Sequence, residues 1–218
     1  MSYSVQNIRN VCLLGHSGNG KTALAESMLY LTGVIDRMGR AADGNTVCDY
    51  DPEEIKRQIS ITTSVAPIEY KGCKINILDT PGGFDFAGET IAALRAADAA
   101  IIVCSAKDGL SVGLEKAWKY CEERNMPRFI YISKVDEDNS DYNATFEKES
   151  VITEFNDALK ESVAETSEEF MDKFFGGEDF TYSEMIQGLR QGVRELSLFP
   201  VLCGSAAANL GTLMLLDH

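Results

Sequence analysis

Residues 15–22 read GHSGNGKT, and the rest of the chain falls into place around them. The octet has the spacing GxxxxGK[ST], a loop whose backbone N–H groups curl around phosphate. The apolar run IRNVCLL (8–14) precedes it, as a buried strand would, and ALAESMLY (23–30) follows with helical periodicity. Glycines at 15, 18 and 20 let successive amides point at one anion. The helix that opens behind them adds its partial positive charge. On this reading His16, Ser17, Gly18, Asn19, Gly20, Lys21, Thr22 and Ala23 line the phosphates. Lys21 reaches the β- and γ-phosphates as a catalytic charge, and the Thr22 hydroxyl binds Mg²⁺.

With 218 residues and a 44% hydrophobic composition, the chain is expected to form one large domain, or one domain with a sizeable insertion. No apolar run has the length of a membrane span and the N-terminus lacks a secretory core, so a cytoplasmic location and no membrane partner are expected. Six cysteines stand far apart with no CxxC pair, the pattern of reduced thiols rather than of disulfides or zinc ligands. The net charge of −14 is concentrated: residues 136–195 hold 17 acids and five bases, whereas residues 1–135 hold 16 acids and 15 bases. Such a surface repels phosphate backbones, which argues against direct nucleic-acid binding. The acidic stretch reads as a solvated helical face.

Strand-like runs near 8–14, 59–70, 73–79, 99–104, 128–133 and 199–203 alternate with helical ones near 20–32, 87–97, 111–125 and 205–217. That alternation predicts an α/β fold, a mainly parallel six-stranded sheet with helices on both faces. A turn at Lys71-Gly72 makes 59–70 an antiparallel edge strand. Residues 33–58 are polar, without a period, and read as a long functional loop. Polar helices near 144–165, 167–174 and 182–195 break the alternation, so 137–198 reads as an acidic helical insertion in a domain of 1–136 and 199–218.

Four further signals stand at strand ends, where ligands of such sheets bind. Asp79-Thr80-Pro81-Gly82 closes an apolar strand. Its carboxylate can hold Mg²⁺ through water, and the Gly82 N–H can meet a γ-phosphate. In Ser133-Lys134-Val135-Asp136 the acceptor-only Asp136 carboxylate pairs with the two N–H donors of guanine and opposes the N1 acceptor of adenine. The Lys134 stem can lie across the base. Backbone amides at Ser205 and Ala206 can read the guanine O6. The Ser60 hydroxyl, entering the second strand run, can be another Mg²⁺ ligand.

These motifs, with INILDTPGGFDF (75–86), LKESVAET (159–166) and the run 167–206 that ends in LFPVLCGSA, resemble the GTPase domain of elongation factor G in the translational GTPase family. The resemblance covers essentially the whole chain. It implies a P-loop NTPase fold with a G′-like insertion, GTP/GDP and Mg²⁺ as ligands, and switch regions at 33–62 and 79–97. It also implies the ribosome as partner, with a ribosomal stalk protein at the insertion. The family's later domains are expected after His218, and the insertion is several dozen residues shorter than usual near 146–150. Gly83 stands where the family carries the His that positions attacking water, Ser133 where it carries Asn, Ser60 where it carries Thr, and Gly18 where it carries Asp. Two functional readings follow: a switch with weak intrinsic GTPase activity, or a module that holds GTP with little hydrolysis, which Gly83 favours. A third, an ATP-using enzyme, is opposed by Asp136.

Overall fold

The computed structural model describes residues 3–108, 111–137 and 158–217. It divides into two compact units, Met1–Asp138 with Val201–His218, and Asn139–Pro200. In chain order the elements are β1 (Ile8–Leu14), α1 (Lys21–Leu31), α2 (Pro52–Arg57), β2 (Ser64–Tyr70), β3 (Cys73–Asp79), α3 (Ala87–Ala96), β4 (Ala99–Ser105), α4 (Val112–Glu122), β5 (Arg128–Ser133), α5 (Glu168–Phe175), α6 (Tyr182–Arg194), β6 (Val201–Cys203) and α7 (Thr212–Asp217).

The six strands lie in the order β2-β3-β1-β4-β5-β6, and every neighbouring pair is parallel except β2 with β3. The antiparallel edge follows from the hairpin, since Lys71 (φ 45°) and Gly72 (φ 80°) both take the left-handed conformation that a two-residue turn needs. Successive residues of β1 point to opposite faces and seed two cores. Leu13 packs with Leu24, Met28 and Leu29 of α1 and Leu215 of α7. Cys12 and Leu14 pack with Leu94 of α3 and Ala117 and Cys121 of α4. The sheet is therefore covered on both faces, and each fully buried leucine contributes about 1.5–3 kcal/mol.

Three expected elements differ. The second strand begins at Ser64 rather than 59, because Glu54 accepts the Ile61 and Thr62 amides and Glu89 accepts the Thr63 amide before the sheet can. The loop 33–58 contains α2, opened by Pro52 and an Asp51–Glu54 capping box. The last helix starts at Thr212 rather than 205, since Ser205 and Leu210 bridge to each other and Gly211 turns at φ 76°.

In the second unit residues 158–164 are helical, followed by α5 and α6. Ser167 and Thr181 cap these two helices with their hydroxyls. The rest of the helix expected at 144–165, and the site of shortening near 146–150, lie outside the described residues. None of the six cysteines is in a disulfide; Cys73 and Cys203 are half-buried and the other four buried. No described helix is long and apolar enough to cross a membrane.

Candidate functional site

Strand β1 delivers the chain into Gly15, where φ is 140° and a side chain would collide with the Val103 carbonyl of β4. The loop closes at Gly20, a left-handed residue (φ 89°) that opens α1. Lys21 is 5% exposed and donates to the Gly15 and His16 carbonyls at 3.0 Å each. Burial lowers its pKa, while Asp79 and Asp49 pull the other way. The Asn19 side chain is turned inward, donating to the Val103 carbonyl at 3.0 Å, so it anchors the loop to β4. Gly82 is packed directly on this loop. A Cβ there would fall against the Ser17 amide nitrogen and 2.5 Å from Lys21 Nζ.

The hydroxyls of Thr22 and Ser60 meet at 3.2 Å, although the residues are 38 apart in sequence. Asp79 ends β3 beside them, 1% exposed, with neither carboxylate oxygen in a well-formed hydrogen bond. Burial pushes its pKa up to about 7, against the pull of Lys21 and Thr22. A buried carboxylate beside a lysine and the Thr22 hydroxyl, with Ser60 against Thr22, fits a hard cation held partly through water. The donors at this corner are hydroxyl and carboxylate oxygens, the hard type that such a cation takes.

Asp49 was not singled out in the sequence, because it sits in the stretch without periodicity. It is 6% exposed, and its Oδ1 has no hydrogen-bond partner. Burial raises its pKa, while the Ser60 and Thr46 hydroxyls and Lys21 favour its charged form. The structure thus brings a second acid to the same corner. Other buried acids hold the loop there. Glu26 of α1 accepts the Gly39 and Val47 amides at 2.8 and 2.5 Å. Glu54 accepts the Ile61 and Thr62 amides at 2.9 and 3.0 Å.

Gly83 has φ −77° and ψ 138°, a conformation open to any residue, and a Cβ would lie 3.2 Å from the Phe86 ring. At the other end of the site, Ser133 ends β5 and Ser205 follows β6, its neighbour in the sheet. The Ser133 hydroxyl is buried and lies 2.7 Å from the Asn19 carbonyl and 3.1 Å from that of Cys104. It therefore ties the base-side loop to the phosphate loop. Lys134 is left-handed (φ 61°) and sits 3.8 Å from Glu137, and Asp136 is exposed. The Ser205 amide donates to the Leu210 carbonyl and its hydroxyl accepts the Ala208 amide. The next residue, Ala206, is buried in the first core.

The profile of the elongation factor Tu GTP binding domain matches residues 6–218. An elongation factor G-like protein of Mycobacterium tuberculosis (strain CDC 1551 / Oshkosh) is 34% identical over an aligned stretch of 257 residues, covering 96% of this chain and 36% of the relative. The corresponding protein of strain H37Rv matches equally. A crystal structure from Thermus thermophilus superposes with a TM-score of 0.89 at 31% identity, over 96% of this chain and 39% of that one. A bacterial selenocysteine-specific elongation factor (TM-score 0.59, 19% identity, 100% of this chain and 28% of that one) shares the fold. The chain spans about a third of the length of these curated relatives. It belongs to the elongation-factor GTP-binding domain family, on its elongation-factor-G-like side.

Proposed function

We propose that this chain is a Mg²⁺-dependent guanine-nucleotide switch that binds GTP and GDP and, within a translation factor, hydrolyses GTP on the ribosome. One observation carries most of the reading: the orphaned Asp79 carboxylate faces Thr22 and Lys21 beside a phosphate-type loop, with the Ser60 hydroxyl against Thr22. Thr22 and Ser60 would hold Mg²⁺ directly, with Asp79 and Asp49 accepting from its waters. When bound, the ion neutralises developing charge on the phosphates. The loop amides orient the nucleotide, and Lys21 balances the β- and γ-phosphate charge. The Gly82 amide is placed to sense the γ-phosphate. Asp136, Lys134 and Ala206 select guanine, with Ser133 and Ser205 shaping that pocket. Residues 1–136 and 199–218 form the nucleotide domain, and 137–198 the G′-like insertion, the surface proposed for a ribosomal stalk protein. A cytoplasmic location follows from that role.

No imidazole stands at position 83, and a positioned acid–base group is typically worth about 10²–10⁴-fold in rate. Hydrolysis in isolation is therefore slow. A module that holds GTP without hydrolysis rests on Gly83 alone, and membership in a GTPase family weighs against it. Single-turnover cleavage with and without ribosomes separates the two. Asp136→Asn turns an acceptor toward guanine donors into a donor, a loss of about 1–3 kcal/mol. Calorimetry should show GDP affinity falling by about 5- to 150-fold and GTP losing its advantage over ATP. Unchanged GDP affinity would remove the assignment of the base pocket. Because the backbone at 83 accepts a side chain, Gly83→His should speed single-turnover cleavage; an unaltered rate would locate the limitation elsewhere.

A further inference from the structure

Phe84 follows the two glycines of the second switch and is 47% exposed, yet its ring has two partners from other elements. The His16 imidazole of the phosphate loop lies with its centroid 5.6 Å away at an interplanar angle of 50°. The Lys116 ammonium of α4 stands 4.1 Å from the ring centroid. Lys116 makes no salt bridge among the described residues, so the ring is its visible partner. His16 is in turn braced by α4, since a Cβ at Gly113 would lie 2.8 Å from both His16 Cβ and Nδ1. Glycine at 113 is what lets the imidazole sit there, with Nδ1 buried and without a hydrogen-bond partner.

A single 3-10 turn over Phe84–Phe86, closed by the Phe86 amide on the Gly83 carbonyl at 3.1 Å, ties the ring to the Gly82-Gly83 backbone. Beneath it a cavity of about 40 Å³ runs between the switch and α4, lined by Pro81, Ala87, Thr90, Ala117 and Tyr120. The segment therefore meets α4 through the Phe84–Lys116 contact, beside this small cavity.

We propose that Phe84 is the positioning residue of this switch: through its contacts with His16 and Lys116, it holds the Gly82-Gly83 backbone against the phosphate loop and so favours the nucleotide bearing a γ-phosphate. The inference rests on the proposed role of Gly82. An aromatic pair and a partly exposed cation–π contact together correspond to about tenfold in an equilibrium. A residue that touched only the general fold would weaken both nucleotides alike.

The test measures affinities for GDP and for a non-hydrolysable GTP analogue with Mg²⁺, by calorimetry on this chain. Phe84→Ala should lower analogue affinity about tenfold and leave GDP within about twofold. Phe84→Tyr, which keeps the ring, should restore the ratio. Lys116→Met, which keeps the aliphatic stem and removes the cation, should lower the analogue alone by about threefold. It carries the test if Phe84→Ala does not fold. Equal losses for both nucleotides, or an unmoved ratio in a wild type that binds both, would overturn the positioning role alone. A wild-type chain that binds neither nucleotide would overturn the guanine-nucleotide reading and the positioning role with it.

Discussion

Acidic residues behave differently in the two units. In the sheet-bearing unit Glu26, Glu54 and Asp79 are at most 1% exposed. Glu26 and Glu54 each accept several backbone amides of the 33–62 segment, whereas Asp79 has no well-formed bond at all. In the helical unit Asp179 is exposed and Glu184 half-buried, and both are paired, Glu184 with Lys173 at 2.7 Å and Asp179 with Lys160 at 2.6 Å. A buried, bonded carboxylate fixes a loop. A less buried, paired one caps or trims a helix. Only the buried carboxylate left without a partner signals a place where something else binds. Count of acids points to the helical unit; burial points to the other.

The comparison breaks most sharply at Asp79. Asp79→Asn removes a charge that burial disfavours, so the metal-free protein should become more stable while Mg²⁺-dependent GDP affinity drops about 10–100-fold. Melting curves with and without Mg²⁺, and calorimetry, read the two effects. A variant less stable and equally able to bind would mean Asp79 serves the fold. The pH dependence has a definite sign. The folded pKa is about 7, above the ordinary 3.8, so the native state keeps a proton that the unfolded chain has released. This group's contribution to stability therefore falls as pH rises from about 4 to about 7. That slope should be missing in Asp79→Asn.

Glu54→Ala comes next. It strands the Ile61 and Thr62 amides, and a buried unsatisfied donor costs about 1–3 kcal/mol. A loss of about 3 kcal/mol in denaturant unfolding is expected, with Ser60 displaced from Thr22 and Mg²⁺ affinity reduced in parallel. A stability loss under about 0.5 kcal/mol would class Glu54 with the acids of the helical unit.

The smallest effect is at Glu184. Hydrogen bonds from Lys173 and then Thr181 hold its carboxyl down at about 2, against an ordinary 4.5. Its stabilisation is complete above the ordinary value and is lost as pH falls through about 2. The melting temperatures of wild type and Glu184→Gln should differ most near neutral pH and converge between about pH 4.5 and 2. A gap that persists in acid would assign the effect to packing rather than charge.

Much of the site was legible because its signals are local. The glycines of GHSGNGKT dictate a left-handed loop, the apolar runs on either side of it a strand and a helix, and Lys71-Gly72 the edge hairpin. The Asp51-Pro52-Glu53-Glu54 start of α2 was also local in principle, since it spells a capping box. It went unread because the long polar loop around it carries no period. Periodicity thus determined the α/β sheet, and local motifs the strand ends at which Thr22, Asp79 and Asp136 were expected to act.

Tertiary structure decided what side chains at a distance do to one another. Strand β2 starts late because carboxylates from α2 and α3 capture the amides that would have extended it. Ser133 turns to the phosphate loop because β5 ends beside Asn19, and Asp49 comes near Lys21 and Ser60 only through the fold of its loop. Phe84 acquires two partners, from the phosphate loop and from α4, that no spacing along the chain announces. Backbone conformation answers to neighbours in sequence, whereas burial, and with it charge and affinity, answers to neighbours in space.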